Sequence, residues 1–124
     1  MILFCDEDVG TRVPRALSLI GLPVVTMADR EWRGKNDIEW LTAVGREGLL
    51  VFSCNKRILN VPLQRETLIA EKVGIVFLTS GQERLHQVLQ LLLTKWEWLE
   101  EIDAAVERPF AYYLYPSGST RRVL

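Results

Sequence analysis

The chain has 124 residues, of which 48% are hydrophobic and 25% charged, with 15 basic and 16 acidic residues. This length suits one domain, and the composition excludes a disordered chain as well as a strongly basic nucleic-acid packaging protein. No apolar run reaches the roughly 18–20 residues of a membrane helix, and the apolar start reaches Asp6 too soon for a signal peptide. Two cysteines without metal-ligand spacing predict a reduced, cytoplasmic chain.

Short apolar runs alternate with amphipathic stretches along the whole sequence. Strands are predicted at residues 2–5, 22–27, 49–53 and 75–79, with helices at about 11–20, 36–48 and 62–74 between them. Ser80 and Glu83 form a capping-box pattern that predicts one long helix over about 82–106. Residues 110–115 and 120–124 flank a Pro-Ser-Gly-Ser turn, as in a hairpin. The order predicts a single α/β domain over residues 1–124, with a mostly parallel central sheet, helices on both faces and a C-terminal hairpin.

Functional residues in such sheets gather just past the carboxyl ends of the strands. Asp6, Glu7 and Asp8 directly follow the first predicted strand. If the strand continues, Asp6 and Asp8 share one side and Glu7 faces the other. Three successive carboxylates repel each other, which a bound cation would relieve. The alternative is acidic charge placed favourably before the helix that follows.

Asp37 and Glu39 fall in the first turn of the second predicted helix. They are about 200° apart around the helix axis, so both cannot face one metal ion. Glu39 is expected to cap Asn36, which leaves Asp37 free to point towards the sheet end. The alternative for both is a favourable interaction with the helix dipole.

Ser53, Cys54, Asn55, Lys56 and Arg57 follow the third predicted strand. The Asn55 amide oxygen can ligate a hard cation, more weakly than a carboxylate, and the two basic side chains can meet phosphate. The alternative is a turn with two solvated charges. Both cysteines are expected to be small buried hydrophobes. With a single histidine, His86, the chain lacks a zinc constellation and a histidine-based triad.

Basic residues surround these acids. The candidate contacts for nucleic-acid phosphates are Arg12, Arg30, Arg33, Lys35 and Lys56. Trp32 lies among them and either stacks on a base or folds back onto the core. The alternative binding surface is Lys56 and Arg57, or Arg121 and Arg122.

The order of these motifs resembles the PIN-like domain family, the ribonuclease fold of VapC-type toxins, and most closely its compact branch. The matching segments are Phe4-Cys5-Asp6-Glu7-Asp8, Asn36-Asp37-Ile38-Glu39-Trp40-Leu41, Val51-Phe52-Ser53-Cys54-Asn55-Lys56-Arg57-Ile58, the stretch 74–81 and Arg108-Pro109-Phe110 with its hairpin. The resemblance implies an Mg²⁺- or Mn²⁺-dependent endoribonuclease that is often a toxin neutralised by an antitoxin. Asp6 and Asp37 would then be the principal catalytic ligands, with Asp8 as a supplement. Asn55 stands at the third catalytic position, where many relatives have an aspartate.

Two other interpretations stay open. One is a catalytically silent PIN-like module that binds RNA or protein, which Asn55 favours. The other is a signalling receiver-like domain, with Thr79 after the fourth strand, but the phosphate-accepting aspartate after the third strand is absent.

The predicted long helix carries more apolar residues than one stripe requires. Leu91, Leu93 and Trp98 fall beside or outside the stripe that faces the sheet. The surplus is expected to be covered by the hairpin, by a second copy of the chain in a homodimer, or by an antitoxin.

Overall fold

The computed structural model describes residues 1–124 as one six-stranded sheet with five α-helices. The strands are β1 (Leu3–Cys5), β2 (Val24–Thr26), β3 (Leu50–Ser53), β4 (Gly74–Leu78), β5 (Phe110–Leu114) and β6 (Thr120–Arg122). The helices are α1 (Arg12–Leu19), α2 (Asp37–Glu47), α3 (Pro62–Ala70), α4 (Leu85–Thr94) and α5 (Trp96–Ala105). Short 3₁₀ turns lie at Glu7–Val9 and Lys56–Leu59. None of the helices has both the length and the apolar character that crossing a membrane requires.

The sheet order is β2-β1-β3-β4-β5-β6, with the first five strands parallel and β6 antiparallel to β5. The predicted α/β architecture and the C-terminal hairpin are therefore confirmed. The chain winds outwards in both directions from the β1–β3 pair. In open α/β sheets this switch point opens a crevice at the carboxyl ends of the strands, where ligands bind.

Alternate strand residues serve two separate cores. Leu3 and Cys5 pack on the side of α1, α4 and α5, whereas Phe4 packs on the side of α2 and α3. The same alternation continues through β3 and β4, which explains why β4 has no polar side chain and β3 has only one, Ser53 at its end. A strand buried on both faces has no polar side to present.

The predicted single long helix is wrong in two respects. The first helix of this region, α4, begins at Leu85 rather than near residue 82. Its start is capped by the Gln87 side chain, which accepts the Arg84 N–H at 2.9 Å. The predicted helix is also interrupted at Lys95, which separates α4 from α5. The interruption lets both helices bury apolar side chains in one core, Val88 and Leu92 from α4 with Leu99 and Ile102 from α5.

The hairpin and the core together cover two of the three surplus apolar residues on these helices, Trp98 and Leu91. The Trp98 ring packs edge-on against Tyr112 of β5, with ring centres 5.4 Å apart, and Leu91 also packs against the core. Leu93 alone of the three stays exposed, at 47%. The surplus is thus largely satisfied within one chain and no longer argues for a partner.

Strand β4 begins at a glycine for a steric reason. A Cβ atom on Gly74 would lie 2.6 Å from Cζ of Phe110 on the neighbouring strand β5. The Phe110 ring is fully buried in the core and has no room to move away. Any side chain at position 74 would therefore separate β4 from β5.

Candidate active site

The polar residues that follow β1 and β3 converge because of strand register. Cys5 pairs with Phe52, so the next residues, Asp6 and Ser53, stand side by side. Side chains alternate between the two faces of the sheet, so Asp6 lies on the same face as Phe4. The ring centres of Phe4 and Trp40 of α2 are 5.6 Å apart. The carboxylate therefore lies on the side of the sheet where α2 begins.

Asp6 is a buried carboxylate with one oxygen unsatisfied. Only 5% of the residue is exposed. Its Oδ2 accepts a hydrogen bond from the Ser53 hydroxyl at 2.5 Å, whereas Oδ1 has no hydrogen-bond partner. A buried polar atom without a partner carries a substantial desolvation cost, so this oxygen is an available acceptor or ligand.

Burial raises the pKa of Asp6 from its ordinary value to about 7, and the negative charge of Asp8 raises it further. The Ser53 hydrogen bond and the nearby backbone N–H groups of Val9 and Asp8 act in the opposite direction. Desolvation dominates because it penalises the charged form of the group. Asp6 is therefore about half protonated at neutral pH.

Asp37 is held at the start of α2 by two side-chain donors. As predicted, Asn36 caps this helix, and its side chain accepts the Glu39 N–H at 2.9 Å. Asp37 Oδ1 accepts from Trp40 Nε1 at 2.9 Å, and Oδ2 accepts from Gln64 Nε2 at 2.8 Å. The carboxylate is thus oriented rather than free, and each oxygen keeps a further lone pair.

Asp6 and Asp37 line the same cleft, here called the acidic cleft. Its volume is about 130 Å³, and it is lined by Asp6, Glu7, Asp8, Met27, Lys35, Asp37 and Trp40. No group of three or more His, Cys, Asp or Glu side chains has an arrangement suited to a metal ion.

The acidic triplet does not continue β1. Glu7 and Asp8 turn into the 3₁₀ segment and are exposed, so the predicted opposition of Glu7 to the other two acids is wrong. Both residues line the acidic cleft at its rim with Asp6. The turn forms because the chain must leave the sheet to begin α1.

Asn55 reaches Asp6 only through an intermediate. Its backbone N–H donates to the Ser53 hydroxyl oxygen at 2.9 Å, and that hydroxyl donates to Asp6. Asn55 is not among the residues that line the acidic cleft. Its role as a third catalytic position stays a prediction.

The predicted basic residues separate into those near the cleft and those turned away. Lys35 lines the acidic cleft, and Arg33 lines an adjoining groove of about 410 Å³ that also contains Asp6. Arg12 lines a further pocket that it shares with Asp8. Arg30 instead pairs with Glu47 at 3.3 Å near the far end of α2, so the structure does not support it as a phosphate contact at the cleft.

Lys56 does not line the acidic cleft either. Its Nζ lies 5.8 Å from the centre of the Tyr113 ring. Trp32 is half-buried, and its ring centre lies 5.6 Å from that of Phe4. The ring therefore packs back onto the core and is not presented for stacking on a base.

The cysteines and the histidine take no part in the acidic cleft. Cys5 is buried, and burial raises the pKa of its thiol far above the ordinary value. Burial likewise raises the pKa of Cys54 to about 11. Both thiols are protonated at neutral pH and are poor nucleophiles. His86 is exposed on α4.

Sequence reasoning missed the residues that hold the two carboxylates. They are Ser53, which donates to Asp6, and Trp40 and Gln64, which donate to Asp37. The Trp40 contact is readable from its spacing, three residues after Asp37 on one helix. Gln64 lies 27 residues away on α3 and carries no local signal.

Comparison with known proteins agrees with the fold. Residues 1–80 match the family model described as a PIN-like domain. That stretch is more than half of the chain, so the chain belongs to the PIN-like domain family, whose fold is of the nuclease type and whose members are commonly nucleases. The match favours this interpretation over a receiver-like domain. The chain matches no curated protein and no solved structure.

Proposed function

We propose that the protein is a metal-dependent endoribonuclease whose centre is the acidic cleft. The observation that carries the proposal is the buried Asp6, whose Oδ1 has no partner, in a cleft that Asp37 also lines. An unsatisfied buried oxygen beside a second oriented carboxylate is chemistry that suits a hard cation. Membership of the PIN-like family supports a nuclease.

The residues present fit Mg²⁺ or Mn²⁺ held by two carboxylates. Mg²⁺ keeps several waters and needs only one or two protein carboxylates together with substrate phosphate. Asp6 and Asp37 would hold the ion, with Asp8 at the rim as a supplement. When bound, such an ion supplies an activated water and neutralises charge at the scissile phosphate.

The protein's own groups orient the ligands and control their protonation. Trp40 and Gln64 fix the Asp37 carboxylate by one hydrogen bond to each oxygen. Ser53 donates to Asp6 and stabilises its charged form against the effect of burial. Asp6 must lose its proton before it can bind a cation, so its pKa near 7 makes occupancy of the cleft depend on pH.

Basic side chains around the cleft would hold the phosphates of RNA. Arg33, Lys35 and Arg12 are exposed and line the cleft or the pockets beside it. Lys35 Nζ also lies 4.0 Å from Glu39 Oε2. Such an exposed ion pair contributes little stability, so Lys35 can leave Glu39 and bind a phosphate instead.

A catalytically silent RNA-binding module is the second candidate. It is favoured by Asn55, which places a neutral amide after β3 where the resemblance leads one to expect a carboxylate. Without that charge the affinity for a cation falls. The two candidates share the fold and differ only in metal-dependent cleavage.

A toxin role, with an antitoxin or a second copy of the chain as partner in the cytoplasm, is a further part of the proposal. It rests on the resemblance to VapC-type ribonucleases alone. Light scattering on the isolated chain tests self-association. A clean 14.2 kDa species would remove the homodimer and leave the antitoxin.

Cleavage of single-stranded RNA by the purified chain tests the nuclease directly. We expect products on a denaturing gel with Mg²⁺ or Mn²⁺ and none with EDTA. Asp6→Asn/Asp37→Asn should abolish them. The matched control is Glu66→Gln/Glu97→Gln, which removes the same charge at two exposed helical positions and should cleave normally. If both double variants cleave equally, the activity does not belong to the acidic cleft.

A further inference from the structure

Acidic residues are unevenly distributed along the chain, although they outnumber basic residues overall. Residues 48–65 and 109–124 contain no Asp or Glu. Together they carry five basic residues, which are Lys56, Arg57, Arg65, Arg121 and Arg122. The other ten basic residues share the rest of the chain with all 16 acidic ones. The side chains of each of these two segments therefore carry a net positive charge.

The fold brings the two segments together at one surface. Lys56 Nζ lies 5.8 Å from the centre of the Tyr113 ring, which joins the turn after β3 to strand β5. Tyr113 is directly opposite Arg121 in the β5–β6 pair. Side chains of directly opposed residues lie on the same face of a sheet, so these two share one face. The Tyr115 ring lies 6.3 Å from the Tyr113 ring at a right angle. The basic-aromatic surface is defined here as Lys56, Arg57, Tyr113, Tyr115 and Arg121.

The cations of this surface are not neutralised by the protein. The ion pairs of the chain involve the terminal amine of Met1 and the side chains of Arg30, Lys35, Arg46 and Arg108. Lys56, Arg57 and Arg121 are exposed and have no acidic partner. An exposed cluster of like charges repels itself, and a polyanion would remove that repulsion.

The aromatic residues narrow the choice of polyanion. Tyr113 is partly covered by Lys56 and packs edge-on against Phe77, whereas Tyr115 at the end of β5 is half-buried. A tyrosine beside exposed cations suits a strand whose unpaired bases can stack while its phosphates meet the charges. A duplex offers no free base faces along its length, and an acidic peptide would use the cations without the rings.

We propose that the basic-aromatic surface binds single-stranded RNA independently of the acidic cleft. Tyr115 stacks on a base, and Lys56 and Arg121 contact phosphates. The surface adjoins the cleft, because Lys56 directly follows Asn55, whose N–H bonds to Ser53 and through it to Asp6. Its hairpin lies beyond the residues that the family model matches. The choice of RNA as the ligand rests on the proposed function, whereas binding itself needs neither Asp6 nor a metal ion.

Fluorescence anisotropy with a labelled oligouridylate of about 12 nucleotides, within the usual range of site sizes, measures this binding. EDTA is present throughout, so that no cleavage occurs. Lys56→Gln/Arg121→Gln should weaken binding roughly tenfold. It should also flatten the slope of log affinity against log salt by about 1.4, because each phosphate contact on a single strand contributes about 0.7. The matched control is Arg46→Gln/Lys72→Gln, which removes one arginine and one lysine near the amino ends of β3 and β4 and should change neither quantity.

Tyr115→Leu tests the aromatic contribution separately. Leucine keeps apolar bulk but cannot stack, so affinity should fall roughly tenfold with an unaltered salt slope. Thermal melts followed by circular dichroism show whether each variant is folded. Binding that is equal in the two charge variants would overturn the proposal. So would an unaffected Tyr115→Leu variant together with equally effective competition by polyglutamate, since the surface would then be a general cationic patch.

The Asp6→Asn/Asp37→Asn variant separates this proposal from the nuclease. It should still bind the oligouridylate in EDTA, at least as tightly as the unaltered chain, because the loss of two carboxylates only removes repulsion of the phosphates. If the unaltered chain cleaves no RNA but Lys56→Gln/Arg121→Gln weakens binding, the surface stands and the nuclease fails. If cleavage depends on Asp6 but both charge variants bind equally, the nuclease stands and the surface fails.

Discussion

Ser53 donates its hydroxyl proton to Asp6 across the parallel strands β1 and β3, at 2.5 Å. The same hydroxyl oxygen accepts the backbone N–H of Asn55 at 2.9 Å. Its one proton is therefore committed to the carboxylate, and it acts as a relay between the third strand and the candidate metal ligand. The main effect of Ser53 is to stabilise the charged form of a carboxylate that burial disfavours.

Ser53→Ala should raise the pKa of Asp6 above its value of about 7 in the unaltered chain. It removes the donor that favours the anion and leaves the Asn55 N–H without its acceptor, at a cost of about 1–3 kcal/mol in the free energy of unfolding. NMR titration of the Asp6 carboxyl measures the pKa, and urea unfolding measures the stability. Ser117→Ala removes a serine hydroxyl on the exposed hairpin turn and should change neither. A lowered or unchanged pKa in Ser53→Ala would contradict the assigned role.

Asp6→Asn should stabilise the fold above neutral pH. The unfolded aspartate titrates near 3.9, so between about pH 4 and pH 7 the folded chain holds a proton that the unfolded chain has lost. The contribution of this proton to the free energy of unfolding is fully present below about pH 4 and is lost as the pH rises through about 7. At about 1.4 kcal/mol per pKa unit, the variant should gain on the order of 4 kcal/mol over the unaltered chain at pH 8. Urea unfolding in EDTA at several pH values measures this difference, and a constant difference from pH 4 to pH 8 would show that Asp6 titrates normally.

Mn²⁺ affinity should rise with pH up to about pH 7 and level off above it. Below the pKa of Asp6, binding must displace a proton, which costs about tenfold in affinity for each pH unit. Calorimetry in buffers of different ionisation enthalpy counts that proton directly. Glu66→Gln is the control for general charge and should follow the unaltered chain. Affinity that is independent of pH between 5 and 8 would remove Asp6 from the ligand set.

Asn55→Asp should tighten Mn²⁺ binding and raise any rate of RNA cleavage, because a charged oxygen replaces a neutral one near Asp6. We expect at least a tenfold gain in affinity, equivalent to about 1.4 kcal/mol. Asn60→Asp makes the same substitution at an exposed position on the same loop and serves as the control. Equal effects in the two variants would indicate a general electrostatic change and place Asn55 outside the site.

Much of the sheet was predictable because its strands are buried on both faces. Such strands are continuously apolar, and the intervening helices carry local signals such as the Asn36 cap and Gly48, which ends α2 in the left-handed region at φ 69°. The interruption at Lys95 was not predictable, because no proline or glycine marks it. It follows from packing two helical segments on one curved surface, which is a property of the assembled core.

The site was predictable only as far as strand ends could locate it. Asp6 and Asp37 line one cleft as expected, since register and the start of α2 follow from the topology. The directions in which the long basic side chains point could not be predicted from the topology. Arg30 turns to Glu47 and Lys56 to Tyr113, and these partners lie 17 and 57 residues away along the chain.

The glycine that begins β4 shows that the matched part of the sequence is not a self-sufficient folding unit. Gly74 lies inside the stretch shared with the family, yet the ring that forbids a side chain there belongs to Phe110, 30 residues beyond its end. A fragment cut at residue 80 would leave β4 as an open, wholly apolar edge, and such edges recruit other chains. The end of the sequence match therefore does not coincide with the end of the packed core, because β5 and β6 complete the sheet that the matched residues begin.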